Sequence, residues 1–147
     1  MLEPRQYCSF LLDGHLFGVE VMEIQEVIRY QRMTKVPLAP SVIEGLINLR
    51  GQIVTAIDLR RMLALPARTP GDLPMNIVVR SEDSAISLLV DEIGEVVEVH
   101  DDQFETPPET LLGPARDLIS GAYKLADRLL LVLDTAKAVH VGADLTR

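Results

Sequence analysis

Short apolar segments parted by turn residues run through most of this chain, and their alternation predicts strands. Residues 7–12 lead into Asp13-Gly14, a tight hairpin turn, and 15–20 read as the return strand. Beyond it, Val21, Ile24, Val27 and Ile28 fall at helical spacing with Glu23 and Glu26 beside the stripe, so a short helix is the first expectation there. The β-branched content leaves a strand open for its end. Val36-Pro37-Leu38-Ala39-Pro40 reads as an extended connector, and Ser41 is placed to cap a single helical turn before Gly45. A short helix is expected over 58–63, started at or near Asp58, and a loop over 66–74. A second hairpin is expected from 76–80 and 85–90, then a strand over 95–99. A strand pair turning at Asp127 and a short helix over 135–139 complete the pattern. Many short strands at this spacing indicate a barrel or sandwich rather than a parallel α/β sheet.

The most informative stretch runs from Glu44 to Arg60, where Arg50-Gly51 breaks two apolar strand segments. Gly51 suggests a turn or bulge requiring positive φ or close backbone approach. Arg50 then occupies a fixed, exposed place with a planar donor fork, which suits recognition.

The two halves of the chain resemble each other in order. Residues 16–28 align without a gap on 85–97, pairing Val21/Val90, Glu23/Glu92, Ile24/Ile93, Glu26/Glu95 and Val27/Val96. Residues 42–63 align on 118–139, pairing Ile43/Ile119, Gly45/Gly121, Leu49/Leu125 and Asp58/Asp134. We therefore expect one domain over 1–147, built of two pseudo-repeated halves at roughly 7–65 and 75–139, with strand exchange between them a possible arrangement. Arg50-Gly51 has Ala126-Asp127 as its counterpart. A pair present in one half only is a better candidate for function than for folding.

Composition narrows the function classes. A 147-residue chain is long enough for a real core, and with no tryptophan that core must be aliphatic. The net charge of -8 argues against nucleic acid and against anionic membrane surfaces. No apolar run approaches a membrane span, and Met1-Leu2-Glu3-Pro4-Arg5-Gln6 has no apolar signal segment. A single cysteine, Cys8, fits a reducing cytoplasm, and a buried hydrophobe is its simpler reading than a catalytic thiol. No phosphate loop, dinucleotide fingerprint or zinc-ligand spacing is present, so neither cofactor nor metal is expected. Glu95, Glu98, Asp101, Asp102 and Glu105 read as a solvated face, and no nucleophile accompanies them, so an enzyme is not expected. Glu26 reads most simply as a surface charge on the short helix, beside Arg29 or Tyr30. Arg50 stands between an inconsequential surface ion pair and a partner anchor.

Several segments carry a family pattern: Phe17-Gly18-Val19-Glu20-Val21 with Ile24-Gln25-Glu26-Val27, then Val36-Pro37-Leu38-Ala39-Pro40. Ile43 to Gly51, with its Gly-x-x-Asn-Leu-Arg-Gly core, and Ala56-Ile57-Asp58-Leu59-Arg60 follow. Leu88 to Ile93 and Leu129 to Asp134 complete the set. In these the chain resembles the CheW family of bacterial chemotaxis coupling proteins, from about Tyr7 to Val139. The resemblance implies a mainly β fold of two packed five-stranded SH3-like β-barrels with a few short helices. It implies a cytoplasmic, non-catalytic adaptor at receptor arrays. Its partners would be the regulatory domain of a CheA-type histidine kinase and the helical-hairpin tip of chemoreceptors, with ring contacts between CheW-like modules also open. Carried over, the receptor-facing groove comprises Ile24, Glu26, Glu44, Gly45, Arg50, Gly51 and Val96. Thr55 stands where many members have proline, and Glu44 where some have a basic residue. A stand-alone module is expected rather than a kinase or receiver fusion. An auxiliary module of a non-flagellar pathway is the alternative. A small-molecule-binding β-barrel is a more distant one, requiring a deep polar pocket between the halves.

Overall fold

β1 (Arg5–Leu12) and β2 (His15–Glu20) form the expected antiparallel hairpin, with Asp13 and Gly14 both at positive φ (51° and 78°), as a two-residue turn between twisted strands requires. The computed structural model of the chain describes residues 4–109, 111 and 113–145; Met1, Leu2 and Glu3 of the N-terminal stretch lie outside them.

The segment after β2 departs from the sequence expectation. A single 3₁₀ turn spans Val21–Glu23 in place of the helix expected first, and β3 (Ile24–Ile28) is the strand that the β-branched content left open for the end of the segment. Ile24, Glu26 and Ile28 are half-buried while Gln25 and Val27 are exposed, so period-two alternation wins over the helical spacing once β6 (Met75–Ser81) is there to pair with. No helix follows Ser41: a hydrogen-bonded turn, in which the Ile43 N–H donates to the Pro40 carbonyl at 3.0 Å, leads directly into β4 (Ile43–Leu49). β4 pairs with β5 (Gln52–Asp58) across Arg50-Gly51. The Asp58 carboxylate accepts from the Arg60 backbone N–H and starts α1 (Leu59–Met62), as expected. β7 (Ser84–Val90) completes the second hairpin, and β8 (Glu92–Val99) follows after one residue, Asp91. A second 3₁₀ turn (Asp101–Gln103) leads into the two-residue β9 (Phe104–Glu105). α2 (Pro114–Leu118), which the pattern did not predict, opens on Gly113-Pro114. β10 (Ile119–Lys124), β11 (Leu129–Leu133) and α3 (Thr135–Leu145) close the chain, α3 running past the expected Val139.

The fold is mainly β with a few short helices, as expected, and its strands form two packed sheets. One is six-stranded in the order β8-β1-β2-β11-β10-β9, the other five-stranded in the order β3-β6-β7-β5-β4. Under the sequence correspondence, β3, β6, β7, β5 and β4 occupy the places of β8, β1, β2, β11 and β10. Even the sixth strand has an echo, since Thr34 bridges Leu46 where Glu105 pairs with Ala122. β3 lies with strands of the second half, and β8 with strands of the first.

One continuous core joins the sheets. Phe10, Leu12 and Val19 of the larger sheet and Ile57, Ile77 and Leu88 of the smaller one are fully buried in it. This filling is aliphatic apart from the stacked Phe10 and Phe17 rings, and a polar cleft lined by Arg60, Arg68, Asp72 and Asp91 opens where the chain crosses from one sheet to the other. Asn76, buried, donates to the Arg29 carbonyl and accepts from Ser87, so its polar groups are matched where three strands meet.

Candidate functional site

The β4–β5 turn builds the site. Leu49 pairs with Gln52, leaving Arg50 (φ 51°) and Gly51 (φ 88°) as the two central residues, both left-handed. The Gly51 N–H donates to Asn48 Oδ1 at 2.9 Å and locks the turn. Positive φ suits glycine but costs arginine about 1 kcal/mol. The counterpart turn between β10 and β11 spans four residues, and neither Ala126 nor Asp127 has positive φ.

The turn aims Arg50 at Glu26. Arg50 Nη1 donates to Glu26 Oε2 at 2.9 Å and Nη2 to Oε1 at 3.2 Å, a two-pronged clasp. Glu26 sits on β3 and the turn adjoins β4, which are opposite ends of the five-stranded order, so the sheet curls until its edges meet at this pair. Glu26 is therefore paired with Arg50, not with Arg29 or Tyr30. The two partners differ in exposure: the Arg50 side chain is 81% exposed and that of Glu26 only 15%. Ile47, Val54 and Val78 form a small buried cluster under this corner.

The structure gathers some of the candidate residues and separates others. Glu26, Arg50 and Gly51 meet, with Ile24 two residues back along β3 and partly packed on the core. Glu44 and Gly45 lie toward the other end of β4, roughly 16 Å of strand from Arg50. Gly45 is buried: a Cβ there would stand 2.8 Å from the Thr34 carbonyl oxygen and 2.9 Å from Met33 Cβ. Val96 is 59% exposed but belongs to β8, an edge of the other sheet.

A second cluster escaped the residue-level reading. Asp91, the single residue between β7 and β8, accepts from Arg60 Nε and Nη2, from Arg68 Nε at 3.3 Å and from the Asp13 N–H at 2.9 Å. Arg60 also donates to the carbonyls of Pro66 and Ala67. The repeat contains its signal, since Met22 and Ala136 stand where Asp91 and Arg60 would recur.

Burial opposes the Asp91 charge, but the hydrogen bonds from Arg60 and Asp13 and the charges of Arg60 and Arg68 outweigh it and hold the carboxyl below its usual range. A depressed carboxyl contributes stability that is complete above its unfolded pKa and is lost as pH falls through its folded one. We expect the melting temperature to drop on acidification below about pH 4, and Asp91→Asn to lower it at neutral pH while flattening the acid decline. Parallel wild-type and variant curves of melting temperature against pH contradict this.

Cys8 is buried, and burial pushes its thiol pKa up, away from thiolate chemistry. Among the described residues no group of three or more His, Cys, Asp or Glu side chains is placed to hold a metal. No helix of the described residues is long and apolar enough to cross a membrane.

Two like-ordered β-sheets thus share one buried core, and a charged clasp stands exposed at the turn between β4 and β5. A family model for the CheW-like domain matches residues 6–142, and the chain belongs to that family. It is 30% identical over 139 residues to the chemotaxis protein CheW of Treponema pallidum, covering 92% of this chain and 82% of that one. It is 25% identical to protein PilI of Pseudomonas aeruginosa, covering 91% and 75%. The crystal structure of the scaffolding protein TtCheW from Thermoanaerobacter tengcongensis superposes with a TM-score of 0.80 at 28% identity, covering 89% of each chain.

Proposed function

We propose that this protein is a non-catalytic cytoplasmic adaptor that holds the regulatory domain of a CheA-type histidine kinase against the helical tip of a chemoreceptor. Family membership supports the adaptor role, and the Arg50–Glu26 clasp carries the receptor-facing part of the reading. An arginine at positive φ, 81% exposed and held by Glu26 through two of its five N–H donors, presents the remaining ones to a partner in a pre-ordered place. The receptor surface would extend from this clasp through Ile24 toward Val96, with Glu44 contributing from the other end of β4 and Gly45, buried beneath the 33–34 segment, shaping that strand rather than touching the partner. A helical hairpin seated there biases the kinase by favouring one of its conformations. The pseudo-repeated halves, 7–65 and 75–139, would each contribute a docking end, and ring contacts between CheW-like modules use the same ends.

The match to PilI favours a second reading, an auxiliary module of a non-flagellar chemosensory pathway. A pull-down from native cell extract tests both. We expect a CheA-type kinase and a chemoreceptor to be retained together, and the receptor class names the pathway. Retention of neither refutes the adaptor reading.

A further inference from the structure

The half-repeat offers an internal control on which residues serve the fold. Asp58 and Asp134 recur, and each accepts from a backbone N–H at the start of its helix, Arg60 after Asp58 and Lys137 after Asp134. Gly45 and Gly121 recur, and each is crossed closely by another segment, Met33-Thr34 in one half and the Phe104 ring in the other. These two recurring pairs thus have fold roles in both halves. The Asp91 cluster fails this test. At the matching crossover from β2 to β3 stands Met22, 92% exposed; Ala136 replaces Arg60 and Glu82 replaces Asp13. The same architecture is reached there without the cluster.

What the cluster joins is specific. Asp91 is the one-residue link by which the chain leaves the five-stranded sheet on β7 and enters the six-stranded sheet on β8. Its own N–H donates to the Leu11 carbonyl and its carboxylate accepts from the Asp13 N–H, both in the β1–β2 hairpin. On the other side, the Arg60 fork reaches it from α1 at the end of β5, and Arg68 from the 66–74 loop. The Arg60, Arg68 and Asp91 side chains are 13%, 14% and 18% exposed, so the charges attract in a partly water-excluded corner. Two positive and two negative side chains, counting Asp13, balance there. Three side-chain bonds tie the carboxylate to Arg60 and Arg68, while its bond from the Asp13 N–H and the Asp91 N–H bond to Leu11 tie this residue to the β1–β2 hairpin, so parting the two sheets breaks bonds on one side or the other.

We propose that Asp91 is a positioning residue: with Arg60 it locks the joint between the two sheets and so sets the spacing between the Arg50–Glu26 clasp and Val96. This role rests on the receptor-docking reading for its consequence in binding, but not for its geometry. β8 begins at Glu92, and Val96 is five residues from the joint. A joint that swings moves Val96 relative to the clasp while both sheets stay folded.

The test reads the joint directly. Cys8 is buried and is the chain's single cysteine, so spin labels go to two introduced, exposed positions, Ile53→Cys on β5 and Glu98→Cys on β8. We expect one narrow distance distribution in the unmodified joint. Asp91→Asn and Arg60→Lys should broaden or shift it, with circular dichroism unchanged, and weaken binding to an isolated receptor-tip hairpin about tenfold. Arg60→Lys keeps the charge and loses only the fork, so it decides the matter if Asp91→Asn does not fold. A folded variant with the unmodified distribution overturns the proposal. If the distribution broadens but neither these variants nor Arg50→Asp weaken hairpin binding, the joint stands and the receptor reading falls. If Arg50→Asp weakens binding while the distances stay fixed, the reverse holds.

Discussion

Gly45→Val should lower the melting temperature by about 10 °C, a loss of roughly 3 kcal/mol from forcing a side chain into filled space. The obstacle is backbone: the Thr34 carbonyl oxygen lies 2.8 Å from where a Cβ would be, and Thr34 is bridged to Leu46 in both directions. Relief requires breaking that bridge and lifting the 33–34 segment off β4. Two other glycines calibrate the effect. At Gly121 the nearest atom, 2.6 Å away, belongs to the ring of the half-exposed Phe104, which can swing aside, so Gly121→Val should cost less. At Gly51 a Cβ meets nothing within 4 Å, and Gly51→Ala pays only for φ +88°, about 1 kcal/mol. Thermal melts of the three variants should rank Gly45 worst and Gly51 mildest; a Gly45→Val melt within a degree or two of wild type refutes this. The ranking bears on function, because a binding defect at Gly45 then reports damage to the fold rather than a lost contact.

The same stretch shows how far sequence reasoning reaches. The β4–β5 hairpin, the positive φ at Gly51 and the Asp58 cap were legible because each depends on neighbours in the chain: alternation, a residue without Cβ, a carboxylate before a helix. At β3 a helix stood ahead of the strand alternative because Val21, Ile24, Val27 and Ile28 satisfy helical spacing, while β6, the strand that captures Ile24, Val27 and Ile28, lies about fifty residues further on. The sheet shift between Ile24 and Glu26 blurs the alternation further. Sheet membership was illegible for the same reason: the parallel pairs β5–β7 and β2–β11 join strands with other strands between them in the chain, and no local pattern marks a parallel neighbour. At the candidate site, Arg50 and Glu26 were each singled out, but their pairing needed the curl of a whole sheet. Asp91 and Arg60 appeared only as letters of a family pattern, since an ion pair across 31 residues leaves no periodic trace.

Arg50→Asp should weaken binding to an isolated receptor-tip hairpin by about thirtyfold, the 2 kcal/mol typical of an interface anchor. The difficulty is separating a lost contact from a damaged fold. The ion pair itself contributes about 1 kcal/mol or less, because Arg50 is mostly in water. Removing it, however, leaves the largely buried Glu26 carboxylate without its partner, and aspartate adds a like charge beside it. A fall of a few degrees in melting temperature is therefore expected alongside the affinity loss. The charge swap Glu26→Arg with Arg50→Asp resolves the two effects. It restores opposite charges at the meeting edges of the curled sheet, so stability should recover toward wild type. It leaves a negative group at the exposed turn where the donor fork stood, so binding should stay weak. Recovery of both stability and affinity in the swap would mean that the clasp acts only by closing the sheet, and Arg50 would lose its place as the receptor anchor.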